Sequence, residues 1–225
     1  MKIAVFGGTF DPVHRGHLAV ARAAAERFSL AKIYFVPADV PPHKRKEPLT
    51  SFYHRYAMLA LATAGEKAFV PSLIEAGEGD SEQRRPSYSI ETVRRIKRAL
   101  GKSDRLFFLI GIDAFMDVAT WRQPEDLLRE CDFIVASRPG YALADVADAL
   151  PQGIRPSAAV LNAFKKQPAK GTIALGGTTI HILDGVREAV SATQVRAAAA
   201  RGRDLPRYVP QSVAEYIRKT GLYKK

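Results

Sequence analysis

The sequence predicts an α/β fold in which a doubly wound parallel sheet carries helices on both faces and a small helical part follows at the C-terminus. Two observations lead to this prediction. Short apolar runs alternate with helix-like segments along most of the 225 residues, which is the rhythm of strands joined by crossover helices. The apolar runs are also continuous, as expected of strands that are buried on both faces.

The first apolar run, Ile3–Phe6, ends in two glycines, and the residues after it recur at helical spacing from Leu18 to Phe28. This pattern predicts a buried strand, a glycine turn and an amphipathic helix. The elements predicted next are a strand at Ile33–Val36, a helix over residues 50–64, a strand at Ala68–Leu73, and strands at Leu106–Ile110 and Phe133–Ala136.

Capping signals define three further helices. Ser89 is predicted to cap a helix that lies between the third and fourth strands. Near the C-terminus, Ser191 and Gln194 have the spacing of a capping box. Pro210 and Gly221 are typical of the first and last positions of one more helix.

The length and the pattern together predict a single domain over residues 1–225. Within it we expect a Rossmann-like core over residues 1–185 and a helical part over residues 186–225. Residues 141–180 are rich in Pro, Gly and Ala and only weakly patterned, so we expect them to form a small excursion from the core.

The composition is typical of a soluble protein of a reducing compartment. A single cysteine, Cys131, rules out an internal disulfide framework. The apolar run at the start is too short for a secretory signal, and no stretch approaches the ~18 apolar residues of a membrane span. We therefore expect a cytoplasmic protein with no membrane partner.

The formal net charge of +11 fits a phosphate-rich partner, either nucleic acid or nucleotides, and it also fits a solvated basic surface. No RRM, KH or zinc-finger signature occurs, and the basic clusters lack interleaved aromatic residues. We therefore expect no nucleic-acid partner. The sequence leaves open whether the chain forms a homo-oligomer.

The most informative segment is GGTFDPVHRGH, from Gly7 to His17, which lies between the first strand and the first helix. An open parallel sheet forms its ligand crevice at this kind of position. Glycines let backbone N–H groups approach an anion, and the start of the helix adds the positive end of its dipole. His14 and His17, three residues apart, can both point into the crevice.

This segment fits three better-known kinds of site less well. It lacks the terminal Gly-Lys-Ser/Thr of a P-loop and the spaced glycines of the dinucleotide-binding fingerprint. The two histidines could form half of a zinc site, but no cysteine pair or third histidine stands at a familiar ligand spacing. Asp11 precedes a proline, where an aspartate commonly caps its own backbone, so we assign it no catalytic role.

The segment resembles the G-x-F-D-P-x-H-x-G-H signature of a nucleotidyltransferase superfamily and fits it at every defined position. The second signature of that superfamily, S-x-T-x-x-R, occurs here as Ser191-Ala192-Thr193-Gln194-Val195-Arg196. The resemblance implies an enzyme that transfers AMP from ATP by in-line attack on the α-phosphorus. It implies His14, His17 and Arg196 as the catalytic residues.

The same resemblance implies how ATP is held. His17 would stabilise the α-phosphate region, and the second signature would hold the β- and γ-phosphates. Mg²⁺ is expected to arrive on the phosphates, since no carboxylate cluster marks a protein site for a metal. The implied ATP-binding residues are Gly7, Gly8, Thr9, Phe10, His14, His17, Gly111, Asp113, Arg138, Ser191, Thr193 and Arg196.

Further motifs resemble the nicotinate-nucleotide adenylyltransferases over residues 2–223, most weakly over 141–180. They are Pro41-Pro42-His43-Lys44, Pro86-Ser87-Tyr88-Ser89, Gly111-Ile112-Asp113, Trp121 and Ser137-Arg138-Pro139-Gly140. This resemblance implies that the acceptor is nicotinate mononucleotide and that the enzyme serves NAD biosynthesis. The implied substrate-binding residues are Lys44, Ser89, Asp113 and Trp121, with Trp121 stacking on the pyridine ring.

Plainer roles stay open for these residues. Ser89 and Asp113 are each suited to cap a helix, and Arg138 is suited to a surface salt bridge. Lys44 stands on a basic loop where a solvated charge is common, and a lone Trp121 is often a core residue. The acceptor also stays open between nicotinate mononucleotide, nicotinamide mononucleotide and phosphopantetheine.

Overall fold

The structure is a computed structural model that describes residues 1–42, 48–77, 86–138, 140–165 and 167–224. Within these ranges seven strands form one sheet in the order β3-β2-β1-β4-β5-β7-β6. The strands are β1 (Lys2–Gly8), β2 (Lys32–Pro37), β3 (Phe69–Pro71), β4 (Arg105–Gly111), β5 (Asp132–Ala136), β6 (Gly171–Leu175) and β7 (Thr178–Leu183). The chain reverses its direction of winding between β1 and β4, which makes the fold doubly wound as predicted.

Helices cover both faces of the sheet, which confirms the predicted α/β architecture. They are α1 (Arg15–Phe28), α2 (Phe52–Thr63), α3 (Ser89–Arg98), α4 (Ile112–Phe115), α5 (Pro124–Glu130), α6 (Leu143–Asp148), α7 (Ala158–Phe164), α8 (Ala192–Ala200) and α9 (Gln211–Thr220). Buried residues of α1, α2, α8 and α9 form one core layer with the sheet, and those of α3 to α6 form the other. No helix among the described residues is long and apolar enough to cross a membrane.

The central strands are continuous apolar runs, as predicted, because helices cover both of their faces. From Ile3 to Phe6 in β1, and from Leu106 to Ile110 in β4, every residue is buried. The parallel register pairs Gly7 of β1 with Val36 of β2. The carboxyl ends of β1, β2, β4 and β5 therefore meet at one edge of the sheet.

The edge strand β6 is an exception to the wholly parallel sheet that the pattern predicts. β6 pairs antiparallel with β7, and only Gly176 and Gly177 separate the two strands. A connection this short can join only antiparallel strands, and the positive φ of Gly177 suits such a turn. Residues 141–180, expected as an excursion, thus contain α6 and α7 and then enter the sheet as its edge hairpin.

Capping is confirmed at two helices and corrected at a third. Ser191 caps α8 by accepting the N–H of Gln194, and Pro210 and Gly221 flank α9. At α3 the predicted cap is wrong: Tyr88 is the capping residue and Ser89 is already the first helical residue. The helix starts there because the carbonyl of Tyr88 accepts the first backbone bonds of the turn.

Candidate active site

The glycine-rich segment connects β1 to α1 at the carboxyl edge of the sheet. Its glycines have steric reasons: a Cβ on Gly8 would lie 3.2 Å from the Phe10 ring, and one on Gly16 would lie 3.1 Å from His14 Nδ1. Phe10 adopts a left-handed φ of 49°, and its ring is buried against Phe6, at a centroid distance of 5.5 Å. The Phe10 side chain therefore anchors the segment, and only its backbone can meet a ligand.

His14 and His17 lie together at the start of α1, as their spacing predicts. Their rings stack with centroids 3.6 Å apart and an interplanar angle of 24°. The backbone N–H of His14 donates to Nδ1 of His17 over 3.2 Å. Because that nitrogen accepts a hydrogen bond, a neutral His17 carries its proton on Nε2 and can donate it to a ligand.

Both histidines are held in the neutral form. Burial lowers the pKa of His14 to about 4, and the charge of Arg138 adds to this effect. Burial also lowers the pKa of His17 well below its usual value, with His14 and Arg138 as further causes. At neutral pH the pair therefore offers N–H donors rather than positive charges, and Nδ1 of His14 is buried with no hydrogen-bond partner among the described residues.

The second signature lies directly against the first. Arg196 on α8 donates from one guanidinium nitrogen to the carbonyl of Asp11 over 2.7 Å and from the other to the Thr193 hydroxyl over 3.3 Å. Ser191 stands at the exposed start of the same helix. Two motifs separated by most of the chain thus form one wall of hydroxyl, guanidinium and imidazole groups.

A third group of predicted residues follows β4 and β5. Asp113 pairs with Arg138 over 3.0 Å and accepts the Tyr141 hydroxyl over 3.1 Å. Asp113 is not the cap of α4, because Gly111 holds that position. The surface ion pair left open for Arg138 is therefore present, and Arg138 also lies close enough to the histidines to lower their pKa values.

A cavity of about 370 Å³ opens beside the glycine segment. Its wall includes Gly7, Gly8 and Thr9 together with Ser89 and Trp121, so these five predicted residues come together around one space. Asp113 does not line this cavity, and its exposed carboxylate lies outside it. Lys44, predicted to bind the acceptor, lies outside the described residues.

The cavity has a cation beside its aromatic residues Tyr88 and Trp121. Arg122 follows Trp121, lines the same cavity and places its guanidinium carbon 4.6 Å from the centre of the Tyr88 ring. The Trp121 ring packs edge-on against Phe108 with centroids 6.3 Å apart. Among the side chains that the structure describes, no carboxylate pairs with Arg122.

Ser87 and Glu75 are polar residues of the cavity wall, and their hydrogen bonds hold parts of that wall together. The Ser87 hydroxyl accepts the N–H of Asp39 over 3.1 Å and that of Val40 over 3.3 Å. Glu75 accepts the hydroxyl of Thr92, and burial raises the pKa of this carboxyl. These bonds join the segments after β2 and β3 to the start of α3.

Sequence reasoning missed a buried arginine under the site. Arg55 is 1% exposed and donates to the carbonyls of Thr9 over 2.7 Å and Thr50 over 2.9 Å. The signal was present, because Arg55 stands at a position of α2 that shares the apolar stripe of Phe52 and Leu59. A charged residue within such a stripe must find polar partners inside the fold.

Comparison with known proteins identifies the family. A family model described as cytidylyltransferase-like matches residues 5–198. A "Probable nicotinate-nucleotide adenylyltransferase" of Geobacter sulfurreducens is 37% identical over 99% of this chain and 98% of its own length. One of Moorella thermoacetica is 35% identical over 99% of this chain and 92% of its own length.

The chain belongs to the nicotinate-nucleotide adenylyltransferases. Among solved structures, a Plasmodium falciparum nicotinic acid mononucleotide adenylyltransferase complexed with NaAD matches with a TM-score of 0.66. It is 18% identical and aligns over 99% of this chain and 97% of its own, so it supports the fold of this adenylyltransferase. As a member of this family the chain is a nucleotidyltransferase enzyme.

The adenylyltransferase has no evident metal cage in the part of the chain that the structure describes. There, no group of three or more His, Cys, Asp or Glu side chains could hold a metal ion. The carboxylate of Asp11 is occupied by hydrogen bonds from Tyr223 and from the backbone of Thr50. That of Asp113 is paired with Arg138.

Proposed function

We propose that the enzyme transfers AMP from ATP to nicotinate mononucleotide, forming nicotinate adenine dinucleotide and pyrophosphate in NAD biosynthesis. The observation that carries this proposal is that the segment from Gly7 to His17 contributes to two half-sites at one edge of the sheet. One half offers phosphate-binding groups, in His14, His17 and Arg196. The other is the mainly apolar cavity lined by Gly8 and Trp121, which suits an aromatic acceptor.

The reaction itself needs no covalent enzyme intermediate. A phosphate oxygen of the acceptor attacks the α-phosphorus of ATP, and the bond from that phosphorus to the bridging oxygen of the β-phosphate breaks. Pyrophosphate leaves with the electron pair of that bond. Catalysis then depends on alignment and on groups that stabilise negative charge as it develops.

The histidines supply part of that stabilisation as neutral donors. His17 donates its Nε2–H to an α-phosphate oxygen, and His14 supports the orientation of that ring through its backbone N–H. Arg196 supplies a positive charge for the leaving phosphates, with Ser191 and Thr193 beside it. The backbone of residues 7–10 approaches the phosphates, as the glycine turn permits.

The remaining nucleotide contacts follow from the strand ends. Gly111, Asp113 and Arg138 lie at the carboxyl ends of β4 and β5, where they face the adenosine part of ATP. Lys44, in the basic segment that follows β2 in the sequence, meets the phosphate of the acceptor. Ser89 and Trp121 bind its nicotinate moiety, and Trp121 stacks on the pyridine ring.

The charge of Arg122 favours the acid over the amide as acceptor. The two acceptors differ at one ring substituent, which is a carboxylate in nicotinate and a neutral amide in nicotinamide. Arg122 lines the cavity next to Trp121, and among the described residues no ion pair engages its guanidinium. Glu75, which lines the same cavity, accepts the Thr92 hydroxyl instead. An anionic substituent gains a charge-assisted interaction there that an amide cannot match.

Mg²⁺ fits this site as an ion brought by the triphosphate rather than one held by the protein. Asp11 and Asp113, the carboxylates nearest to the proposed ATP residues in sequence, are already engaged by other groups. When bound, Mg²⁺ would neutralise charge on the β- and γ-phosphates.

The ATP requirement and the lone buried Cys131 also support action in the cytoplasm.

The organisation of the chain supports the same proposal. We propose one domain over 1–225, because α8 and α9 of the C-terminal part share a core layer with α1. Residues 186–225 supply Arg196 and are thus needed to complete the site that residues 1–185 begin.

The test is a rate comparison of pyrophosphate release with ATP and Mg²⁺ for three acceptors. They are nicotinate mononucleotide, nicotinamide mononucleotide and phosphopantetheine. The proposal predicts the highest kcat/KM for the nicotinate compound. A preference for either other acceptor would overturn the assignment of the acceptor, and no release with any would overturn the proposed reaction.

A further inference from the structure

The carboxylate of Asp11 lies at the centre of a hydrogen-bond network that joins distant parts of the chain. One carboxylate oxygen accepts the phenol hydroxyl of Tyr223 over 2.6 Å, and the other accepts the backbone N–H of Thr50 over 3.1 Å. Asp11 is only 5% exposed. Its side chain does not cap its own backbone as the sequence suggests; it connects the glycine segment to the C-terminal tail.

The backbone of Asp11 has a separate partner in the site. Its carbonyl accepts from Arg196 over 2.7 Å, and this is the bond that holds the guanidinium against the glycine segment. Any shift of Asp11 therefore moves the acceptor atom that orients Arg196. Tyr223 thus reaches the site through two consecutive bonds, first to Asp11 and then to Arg196.

Tyr223 is itself firmly placed. It follows α9, which ends at Thr220 and is capped by Gly221, and it packs against the core layer that contains Phe10. Burial raises the pKa of its phenol, and the charge of Asp11 raises it further, so the hydroxyl stays a donor. A phenol that donates to a buried carboxylate fixes both the position and the charge of that carboxylate.

We propose that Tyr223 is a positioning residue for adenylyl transfer, which acts by holding Asp11 so that its carbonyl orients Arg196 toward the leaving phosphates of ATP. This inference rests on the proposed function. It assigns Tyr223 to the site through its bond to Asp11, and not through a contact with a substrate. It also explains why Asp11 is buried within a segment whose neighbours serve phosphate binding.

The test uses Tyr223→Phe in the full-length enzyme, which removes one hydroxyl and keeps the ring that packs on the core. A bond to a carboxylate of this kind corresponds to a change of roughly tenfold or more in an equilibrium or rate constant. We expect kcat/KM for ATP to fall by about tenfold, and the KM for the acceptor to stay unchanged. Affinity for a non-hydrolysable ATP analogue, measured by calorimetry, should fall in the same direction.

The matched control is Tyr216→Phe, since Tyr216 lies on α9 and its hydroxyl bonds to His54 rather than to the site. This control should leave both substrates' kinetic parameters unchanged. Wild-type ATP parameters in Tyr223→Phe, or an equal loss for ATP and acceptor, would overturn the inference. Failure of the proposed function has a different signature, which is absence of turnover in the wild type, and calorimetry with the ATP analogue would then still decide the role of Tyr223.

Discussion

The imidazole rings of His14 and His17 stack at 3.6 Å, and burial keeps both of them neutral. Two cationic rings at this distance would repel each other, so the stacked geometry and the lowered pKa values belong together. A neutral donor pair can stabilise negative charge that develops during the reaction without binding the ground-state triphosphate as strongly as two cations would. The burial of these rings therefore has consequences for both turnover and stability.

Replacing the proposed donor tests its role in the transition state. In His17→Ala we expect kcat to fall by about 10²–10³, as for loss of one preorganised donor at a developing charge. The affinity for ATP should change far less, because Arg196 and the backbone of the glycine segment remain. Steady-state kinetics together with ATP calorimetry separate the two effects. His54→Ala, away from the site, is the control, and near-normal turnover in His17→Ala would contradict the catalytic assignment.

The neutral histidines also predict how stability depends on pH. Unfolded His14 titrates near 6.5, whereas folded His14 titrates near 4. Between these values the unfolded state binds more protons, so the free energy of unfolding decreases as pH falls from about 6.5 to about 4. This decrease in the free energy of unfolding amounts to roughly 3 kcal/mol for His14 alone.

Urea denaturation at several pH values between 4 and 7 measures this effect. His14→Gln should flatten the pH dependence in that window relative to the wild type, since the glutamine does not titrate. An unchanged pH dependence in the variant would show that His14 is not the group responsible.

The cation in the cavity predicts the choice between acid and amide acceptors. In Arg122→Gln we expect the ratio of kcat/KM for nicotinate mononucleotide to that for nicotinamide mononucleotide to fall by about tenfold or more. The loss should appear in KM for the acid, because the ring carboxylate is remote from the reacting phosphate. Arg98→Gln removes the same charge from the end of α3, outside the cavity, and should keep the wild-type ratio. A wild-type ratio in Arg122→Gln would exclude this residue from acceptor selection.

The buried arginine predicts a large effect on stability. Arg55→Met removes the buried donor that serves the half-buried Thr9 and Thr50 carbonyls and leaves both acceptors without that bond. We expect the free energy of unfolding to decrease by roughly 3–5 kcal/mol. Chemical denaturation checks this value, and Arg218→Met, an exposed substitution on α9, should change it by less than about 0.5 kcal/mol. A small effect of Arg55→Met would mean that water replaces the lost donor.

The sequence predicted the fold well where one physical signal dominates. Continuous apolar runs indicated β1 and β4 because strands covered on both faces admit few polar residues. The capping box at Ser191 indicated the start of α8, because that signal is local. The β6–β7 hairpin was missed, since two glycines in a row predict a turn but not which strands it joins.

The residues proposed to contact the substrates were predictable from the sequence, whereas the residues that position them were not. His14, His17 and Arg196 came from motifs, and the structure brings the histidines together and sets Arg196 against the same loop. The roles of Asp11 and Tyr223 could not be predicted, because their contact joins residues 212 positions apart and neither has a local pattern that names its partner. Long-range polar contacts of this kind depend on the completed fold.

The reaction proposed for this site passes AMP from ATP to the phosphate of nicotinate mononucleotide. It can be followed with ATP that carries radioactive phosphorus at the α position, in the presence of nicotinate mononucleotide and Mg²⁺. We expect the label to appear in nicotinate adenine dinucleotide and unlabelled pyrophosphate to form in equal amount. Label that stays in ATP or appears in AMP alone, with no dinucleotide formed, would contradict the proposed transfer.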